Sequence, residues 1–217
     1  SSFLKIANLY FGEVVQTKAW KKARLLILKK PKKVIIEKPL INTVLWKEKE
    51  LQQYYGVFSG DKIDIGTRFL IENLKVNENE IEVLDLASGN GVLASEVIDL
   101  NSNARVTLID DFNLAIASSK LNIPKGRASF ICAENLENLE KKFDLVVSNP
   151  PFHFEYENNI EISLSLFRGV KDCLKINGRF LLVANAHLNY KTHLEKLFLS
   201  VLIVKSNSKF VIYECFK

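Results

Sequence analysis

Ser148-Asn149-Pro150-Pro151-Phe152-His153 is the run of this 217-residue chain that carries the most chemistry. An asparagine side chain offers a carbonyl oxygen, while two successive prolines fix the backbone and supply no N–H donors. Acceptors therefore dominate the turn. The Asn149 side-chain carbonyl and the Pro150 main-chain carbonyl can take both hydrogens of a planar NH2 group, and Phe152 adds a face on which a base can stack. Such a set suits one task, the presentation of an exocyclic amine to an electrophile. Phe143, Leu145, Val146 and Val147 precede it and read as a short buried strand, so the turn falls at a strand's C-terminal end, where ligands of open α/β sheets collect. Taken alone, the same residues also describe an ordinary Pro-Pro turn ending a strand.

A second pattern lies upstream. Ile81 to Leu86 is an apolar run broken by Glu82, it passes into Asp85-Leu86-Ala87-Ser88-Gly89-Asn90-Gly91, and Val92, Leu93 and Ala94 then begin a helical pattern. This is a strand, a glycine turn and a helix start, in which the glycines let the backbone approach a ligand closely. Ala87 stands where a first glycine is usual. About twenty residues beyond Gly91, the apolar strand Val106 to Ile109 ends in Asp110-Asp111, and Asp110 suits hydrogen bonding to ribose hydroxyls. A nucleoside-bearing cofactor fits both features, and a nicotinamide dinucleotide also fits the glycine turn.

Glycine loop, ribose carboxylate and Asn-Pro-Pro-Phe, in that order and each after a strand, resemble the class I S-adenosylmethionine-dependent methyltransferases. The resemblance narrows with Gly56-Val57-Phe58-Ser59, Ile63-Asp64-Ile65-Gly66-Thr67-Arg68, Asn149 to His153, Cys173-Leu174-Lys175-Ile176-Asn177-Gly178 and Val183-Ala184-Asn185-Ala186-His187-Leu188. These are similar to the bacterial ribosomal RNA guanine-N2 methyltransferases, the large-subunit 23S G type above all, from about Gly56 to Lys217. Ala19-Trp20-Lys21-Lys22-Ala23-Arg24-Leu25 is similar to the end of that family's N-terminal domain.

The resemblance implies an α/β fold, a doubly wound Rossmann-like domain with a mostly parallel seven-stranded sheet. It also implies S-adenosyl-L-methionine as cofactor and ribosomal RNA as partner, 23S before 16S. Asn149, Pro150 and Phe152 would be catalytic, positioning the guanine N2 amine for direct methyl transfer. Gly89 and Gly91 would pass beside the methionine part, Asp110 would take the ribose and Glu134 the adenine edge. Phe58 and Asp64 to Thr67 would wall the cofactor pocket, and Asp85, Ala87 and Asn149 complete that set. N5-glutamine and N6-adenine methyltransferases present a similar planar amide or amine, usually to a tetrad ending in tyrosine. An RNA-binding module of the same fold without catalysis is the reading from another class. His153 reads as positioning or structural, His187 and His193 lack a metal-ligand partner at useful spacing, and Asn185 could reach the pocket or cap a helix.

The elements that must place these groups follow from periodicity. Strands are expected near 81–86, 105–109, 128–132, 143–148 and 179–184, alternating with helices near 91–100, 112–121 and 160–174, which is the pattern of βαβ units. Asp61 to Leu74 reads as a helix before them. A helix near 190–199 and strands near 200–205 and 209–215 would close the sheet, the last antiparallel. Ile162, Leu166, Val170 and Cys173 form one helical stripe, with Gly178 as the stop signal. Residues 1–10 read as the end of a helix, and 22–28 and 33–37 as strands paired around Lys29 to Lys33. Lys47 to Tyr55 is the expected boundary, separating residues 1–52, the end of a truncated basic N-terminal domain, from a methyltransferase domain at 53–217.

Composition agrees with this organisation. A 47% hydrophobic chain of 217 residues can bury one α/β core and leaves a small appendage. No apolar window is long enough to span a membrane, and the N-terminus lacks signal-peptide order, so a cytoplasmic, monomeric enzyme is expected. Cys132, Cys173 and Cys215 are widely separated and read as reduced thiols, with no metal implied. The absence of methionine suits a fragment of a longer gene product. Of the net charge of +5, the stretch Lys18 to Lys38 contributes +8 and the remainder −3. Leu25 to Leu28 and Val34 to Ile36 interleave with the lysines, so this is a structured basic ribbon fit for phosphate contacts.

Overall fold

The computed structural model describes residues 2–33, 40–150, 158–188 and 190–217, with residues 2 and 158–163 described by their backbone. The chain divides into two compact units, Ser1–Pro39 and Leu40–Lys217. In the first, α1 (Ser2–Tyr10) runs into β1 (Phe11–Gln16), which pairs antiparallel with β2 (Leu26–Pro31). The basic hairpin is therefore not folded around Lys29 to Lys33, as its spacing suggests. Val14 faces Leu28 and Glu13 faces Lys29 across a longer turn, closed by a Trp20–Ala23 bridge, with Lys21 and Lys22 at positive φ. Most of the expected strand at 33–37 lies outside the described residues.

The second unit opens with a hairpin, β3 (Ile41–Trp46) and β4 (Lys49–Tyr54), and continues with α2 (Ile65–Glu72), β5 (Glu82–Leu86), α3 (Val92–Leu100), β6 (Arg105–Asp110), α4 (Asn113–Asn122) and β7 (Ala128–Cys132). There follow β8 (Phe143–Ser148), α5 (Asn158–Cys173), β9 (Leu174–Asn185), a 3-10 turn (Ala186–Leu188), α6 (Tyr190–Leu194), β10 (Ser200–Ser206) and β11 (Phe210–Phe216). The seven-stranded sheet has the order β10-β11-β9-β8-β5-β6-β7. Strands β7, β6, β5, β8 and β9 are parallel, and β11 and β10 are antiparallel. This is the expected Rossmann-like architecture, with the strand order reversing at β5, where α/β sheets open a crevice.

Alternation along the strands feeds two cores, one on each face. Val83, Val106, Leu108, Leu145, Val147, Leu181 and Val183 pack with Leu70 and Ile71 of α2, Val97 of α3, and Val44 and Leu51 of the hairpin. Leu84, Leu86, Ile109, Val146, Phe180, Leu182 and Ala184 pack with Phe167, Val170 and Cys173 of α5 and with Tyr190 and Leu194 of α6. The hairpin thus belongs to the sheet unit, which begins at Leu40 and not near residue 53. Its backbone is fastened to α4: Asn122 Oδ1 accepts from the Gln52 N–H at 2.7 Å and Ser118 Oγ from the Tyr54 N–H at 2.9 Å. Two further expectations change. The helix after Tyr190 ends at Leu194. Gly178 does not stop α5 but lies inside β9 at an irregular register with β8, where a Cβ would come within 2.7 Å of the Phe143 carbonyl oxygen.

Candidate active site

The glycine turn between β5 and α3 holds three left-handed residues, Ala87 (φ 57°), Gly89 (φ 54°) and Gly91 (φ 81°). Its backbone is tied down by the Ser88 N–H donating to Ile109 O at 3.1 Å and the Gly91 N–H donating to Ser88 O at 2.8 Å. Ser119 Oγ donates to Gly89 O at 2.9 Å, and the Gly89 N–H donates to Asp110 Oδ2 at 2.9 Å. The two glycines do different work. A Cβ on Gly89 would meet nothing within 4 Å, whereas one on Gly91 would lie 3.2 Å from Leu108 Cδ2 and 3.3 Å from the Ser119 side chain. Gly91 faces the interior as the N-cap of α3 and does not line the cavity described next. Asp85 is also beneath the turn. It is fully buried, its Oδ2 accepts the Ala94 N–H at 2.9 Å, and burial pushes its carboxyl well above the usual carboxylate range, the Asp110 charge adding to the rise.

At the C-terminal ends of the parallel strands lies a cavity of about 560 Å3, lined by Gly56, Phe58, Asp64, Ala87, Gly89, Asp110, Asp111, Phe112, Ala115, Asn149, Pro150, Asn185 and Phe210. A cleft of about 40 Å3 adjoins it, sharing Phe58, Asp64, Ala87, Gly89 and Asn149 and adding Thr67, Ser88, Asn90 and Leu93. The sequence-predicted Phe58, Thr67, Ala87, Gly89, Asp110, Asn149 and Pro150 thus come together. Glu134 is exposed beyond β7 and is not among the lining residues. Pro151, Phe152 and His153 lie outside the described residues. Asp110 both faces the cavity and braces it, because its Oδ1 accepts the Phe112 N–H at 3.0 Å while Oδ2 holds Gly89. Burial raises its carboxyl, and the neighbouring Asp111 charge adds to the rise. Asp64, Asp110 and Asp111 give the cavity an acidic lining, with no lysine or arginine among its described lining residues. Such a wall attracts cations and repels a pyrophosphate.

The Asn149 side chain spans the cavity and the cleft. Its Nδ2 donates to Thr67 Oγ1 at 2.7 Å and to Asp64 Oδ2 at 3.2 Å, while its Oδ1 is buried and has no hydrogen-bond partner among the described residues. Ser88 Oγ, in the adjoining cleft, is likewise buried without one. Buried acceptors are costly to leave unpaired, so an orphaned carbonyl in a cavity marks where a donor belongs. Asn185, which ends β9, and Phe210, which opens β11 directly opposite, form the neighbouring wall. Phe210 carried no sequence signal beyond its strand. Behind the turn runs an amide chain that sequence reading missed: Asn122 Nδ2 donates to Asn90 O at 2.8 Å, and Asn90 Nδ2 donates to Gln53 Oε1 at 2.8 Å.

Elsewhere there is less that could act. His187 and His193 fall in the 3-10 turn and α6, and no group of three metal-ligating side chains occurs among the described residues. Burial pushes the Cys173 thiol up to about 11 and Cys215 higher still, which keeps both protonated. At the opposite ends of the strands a cavity of about 630 Å3 is lined by paired charges, Lys175 with Asp144 and Arg179 with Glu80. None of the helices described is long and apolar enough to cross a membrane.

The fold has counterparts of known structure. All of the chain aligns with 61% of the T. thermophilus 16S rRNA N2 G1207 methyltransferase (RsmC), solved in complex with AdoMet and guanosine, at a TM-score of 0.84 and 24% identity. The chain therefore spans less than two thirds of that protein. It is also similar to a ribosomal protein L11 methylase from Lactobacillus delbrueckii subsp. bulgaricus, at a TM-score of 0.55 and 19% identity over 76% of this chain and 90% of that one. A precorrin-6y C5,15-methyltransferase from Geobacter metallireducens matches at 0.55 and 16%, over 76% of this chain and 92% of its own. At these identities the likeness is one of fold. The methyltransferase small domain model matches residues 48–214, from the β3–β4 turn into β11, and the chain belongs to that family.

Proposed function

We propose that this chain methylates the exocyclic N2 amine of a guanine in ribosomal RNA, with S-adenosylmethionine as the methyl donor. The observation that carries the proposal is the buried Asn149 Oδ1, without a hydrogen-bond partner among the described residues, beside Pro150 in an acidic cavity at the sheet's switch point. The residues present suit that cofactor better than a dinucleotide: the lining is anionic, the ligand carries positive charge, and Gly89 leaves open space where a side chain would intrude. When bound, S-adenosylmethionine supplies an electrophilic methyl group. Asp110 can accept ribose hydroxyls with the lone pairs its two backbone hydrogen bonds leave over. Asn149 Oδ1 and Pro150 O can accept the two amine hydrogens, which orients the nitrogen lone pair and stabilises the positive charge that develops on it. The base must come from a single strand or be flipped out of a helix to enter. RsmC acts on 16S rRNA, whereas the sequence motifs resemble the 23S type, so both RNAs belong in the assay.

Asn149→Ala tests the proposal. Removing a donor or acceptor aimed at developing charge costs about 10²–10³ in rate, so single-turnover transfer to rRNA transcripts should fall by that factor, far more than cofactor affinity falls. A near-normal rate in the variant overturns the mechanism.

A further inference from the structure

A side-chain amide placed at an amine-binding site is useful only one way round. Rotated by 180°, Asn149 would point its NH2 at the substrate's NH2, donor against donor, and the shape of the amide gives no preference between the two. What decides lies on α2. Asp64 is the N-cap of that helix, its Oδ2 accepting from the Gly66 N–H at 2.8 Å and the Thr67 N–H at 3.1 Å, and the same oxygen receives Asn149 Nδ2 at 3.2 Å. Thr67 Oγ1 receives the same amide nitrogen at 2.7 Å. A hydroxyl can donate or accept, but an ionised carboxylate only accepts, so Asp64 removes the ambiguity that Thr67 alone would leave. The cap is held tightly: a Cβ on Gly66 would lie 3.0 Å from Asp64 Oδ2 and 3.1 Å from the Phe210 ring.

We infer that Asp64 and Thr67 are positioning residues that lock the Asn149 amide with its carbonyl oxygen toward the cavity, making the site selective for a planar NH2 donor. The inference rests on the proposed reading of Asn149. It assigns to these two residues a role in transfer, beyond walling a cofactor pocket. Asp64 also sets a negative charge behind the amide, polarising its carbonyl toward the amine as that amine becomes positive.

The test is a double-mutant cycle on the full chain, read by single-turnover transfer to unmodified 16S and 23S rRNA transcripts and by calorimetric S-adenosylmethionine affinity. Thr67→Val and Asp64→Asn should each slow transfer by about ten- to a hundredfold at S-adenosylmethionine concentrations that the measured affinity shows to be saturating, the range of one missing or misdirected buried hydrogen bond. Thr67→Ser should restore most of the rate. The double variant Asn149→Ala/Thr67→Val should be no slower than Asn149→Ala, because Thr67 acts through a group already removed. Thermal melts establish that each variant is folded. A wild-type rate in Thr67→Val, or full additivity in the double variant, overturns the positioning role. A wild-type rate in Asn149→Ala itself instead overturns the reading of the site on which it depends.

Discussion

Gly89 and Gly91 stand two positions apart in one turn, yet alanine at each should fail in a different way. At Gly91, alanine must hold φ 81° and place a Cβ 3.2 Å from Leu108 Cδ2 and 3.3 Å from Ser119. The left-handed conformation costs about 1–2 kcal/mol and the overpacking about 1–2 more, giving roughly 2–4 kcal/mol. For a domain of this size that lowers Tm by about 4–16 °C. At Gly89 the φ of 54° carries a similar backbone cost, but the methyl group meets no protein atom and projects where the cavity opens. Its Tm should fall by only about 2–8 °C, while cofactor affinity falls by about tenfold or more, since a ligand seated on the turn loses about 1.4 kcal/mol or more to the intrusion. Melts combined with calorimetric titration of S-adenosylmethionine separate the two effects. A Gly91→Ala protein as stable as wild type but unable to bind, or a Gly89→Ala protein with unchanged affinity, would refute the assignment of one glycine to packing and the other to the ligand.

Three further outcomes follow from the charges. Asp85 has a folded-state pKa raised by burial, so the stability it contributes is fully present below its unfolded value of about 3.9 and is lost as pH rises through the folded one. Asp85→Asn keeps an acceptor for Ala94 and removes the titration, so melts over that range should lose less stability with rising pH than wild type; parallel curves would contradict this. Asp110 is raised in the same sense, and its ionised form is the one that accepts ribose hydroxyls, so calorimetric affinity should fall on acidification above the usual carboxylate range and flatten in Asp110→Asn. In the basic unit Lys29 and Lys30 share Glu13, and Lys32 donates to Asn8 O at 2.8 Å, so Lys18, Lys21, Lys22 and Arg24 are the cleaner probes. Reversing those four should flatten the slope of log affinity against log salt for rRNA by about 0.7–0.9 for each phosphate left without its cationic partner; an unchanged slope would place the RNA elsewhere.

The parallel strands were legible because burial on both faces makes them continuous apolar runs, as in Leu145-Val146-Val147 and Val106 to Ile109. The β3–β4 hairpin was not. Lys47-Glu48-Lys49-Glu50 reads as a solvated linker, yet Lys47 pairs with Glu96, Lys49 with Asp99, and Leu51 and Gln53 alternate into the interior. Its stability is tertiary, which a local pattern does not encode. The N-terminal hairpin was misregistered for a related reason: Lys21 and Lys22 take left-handed conformations without the glycine or asparagine that usually announces such a turn. In the site, Asn149, Asp110 and Gly89 announce themselves by residue type, whereas Gly91 and Asp85 share their motif but face inward. The resemblance places Asp64, Thr67 and Asn149 around one pocket, but the hydrogen bonds between them, across more than eighty residues, come from the packing of α2 over the sheet.

Product identity tests the account most directly. The chain should be incubated with labelled S-adenosylmethionine and unmodified 16S and 23S rRNA transcripts, and the RNA digested to nucleosides and resolved by mass spectrometry. The account predicts labelled N2-methylguanosine with wild type and its loss with Asn149→Ala. Label in N6-methyladenosine, or no label in RNA while a protein glutamine is methylated, would contradict it.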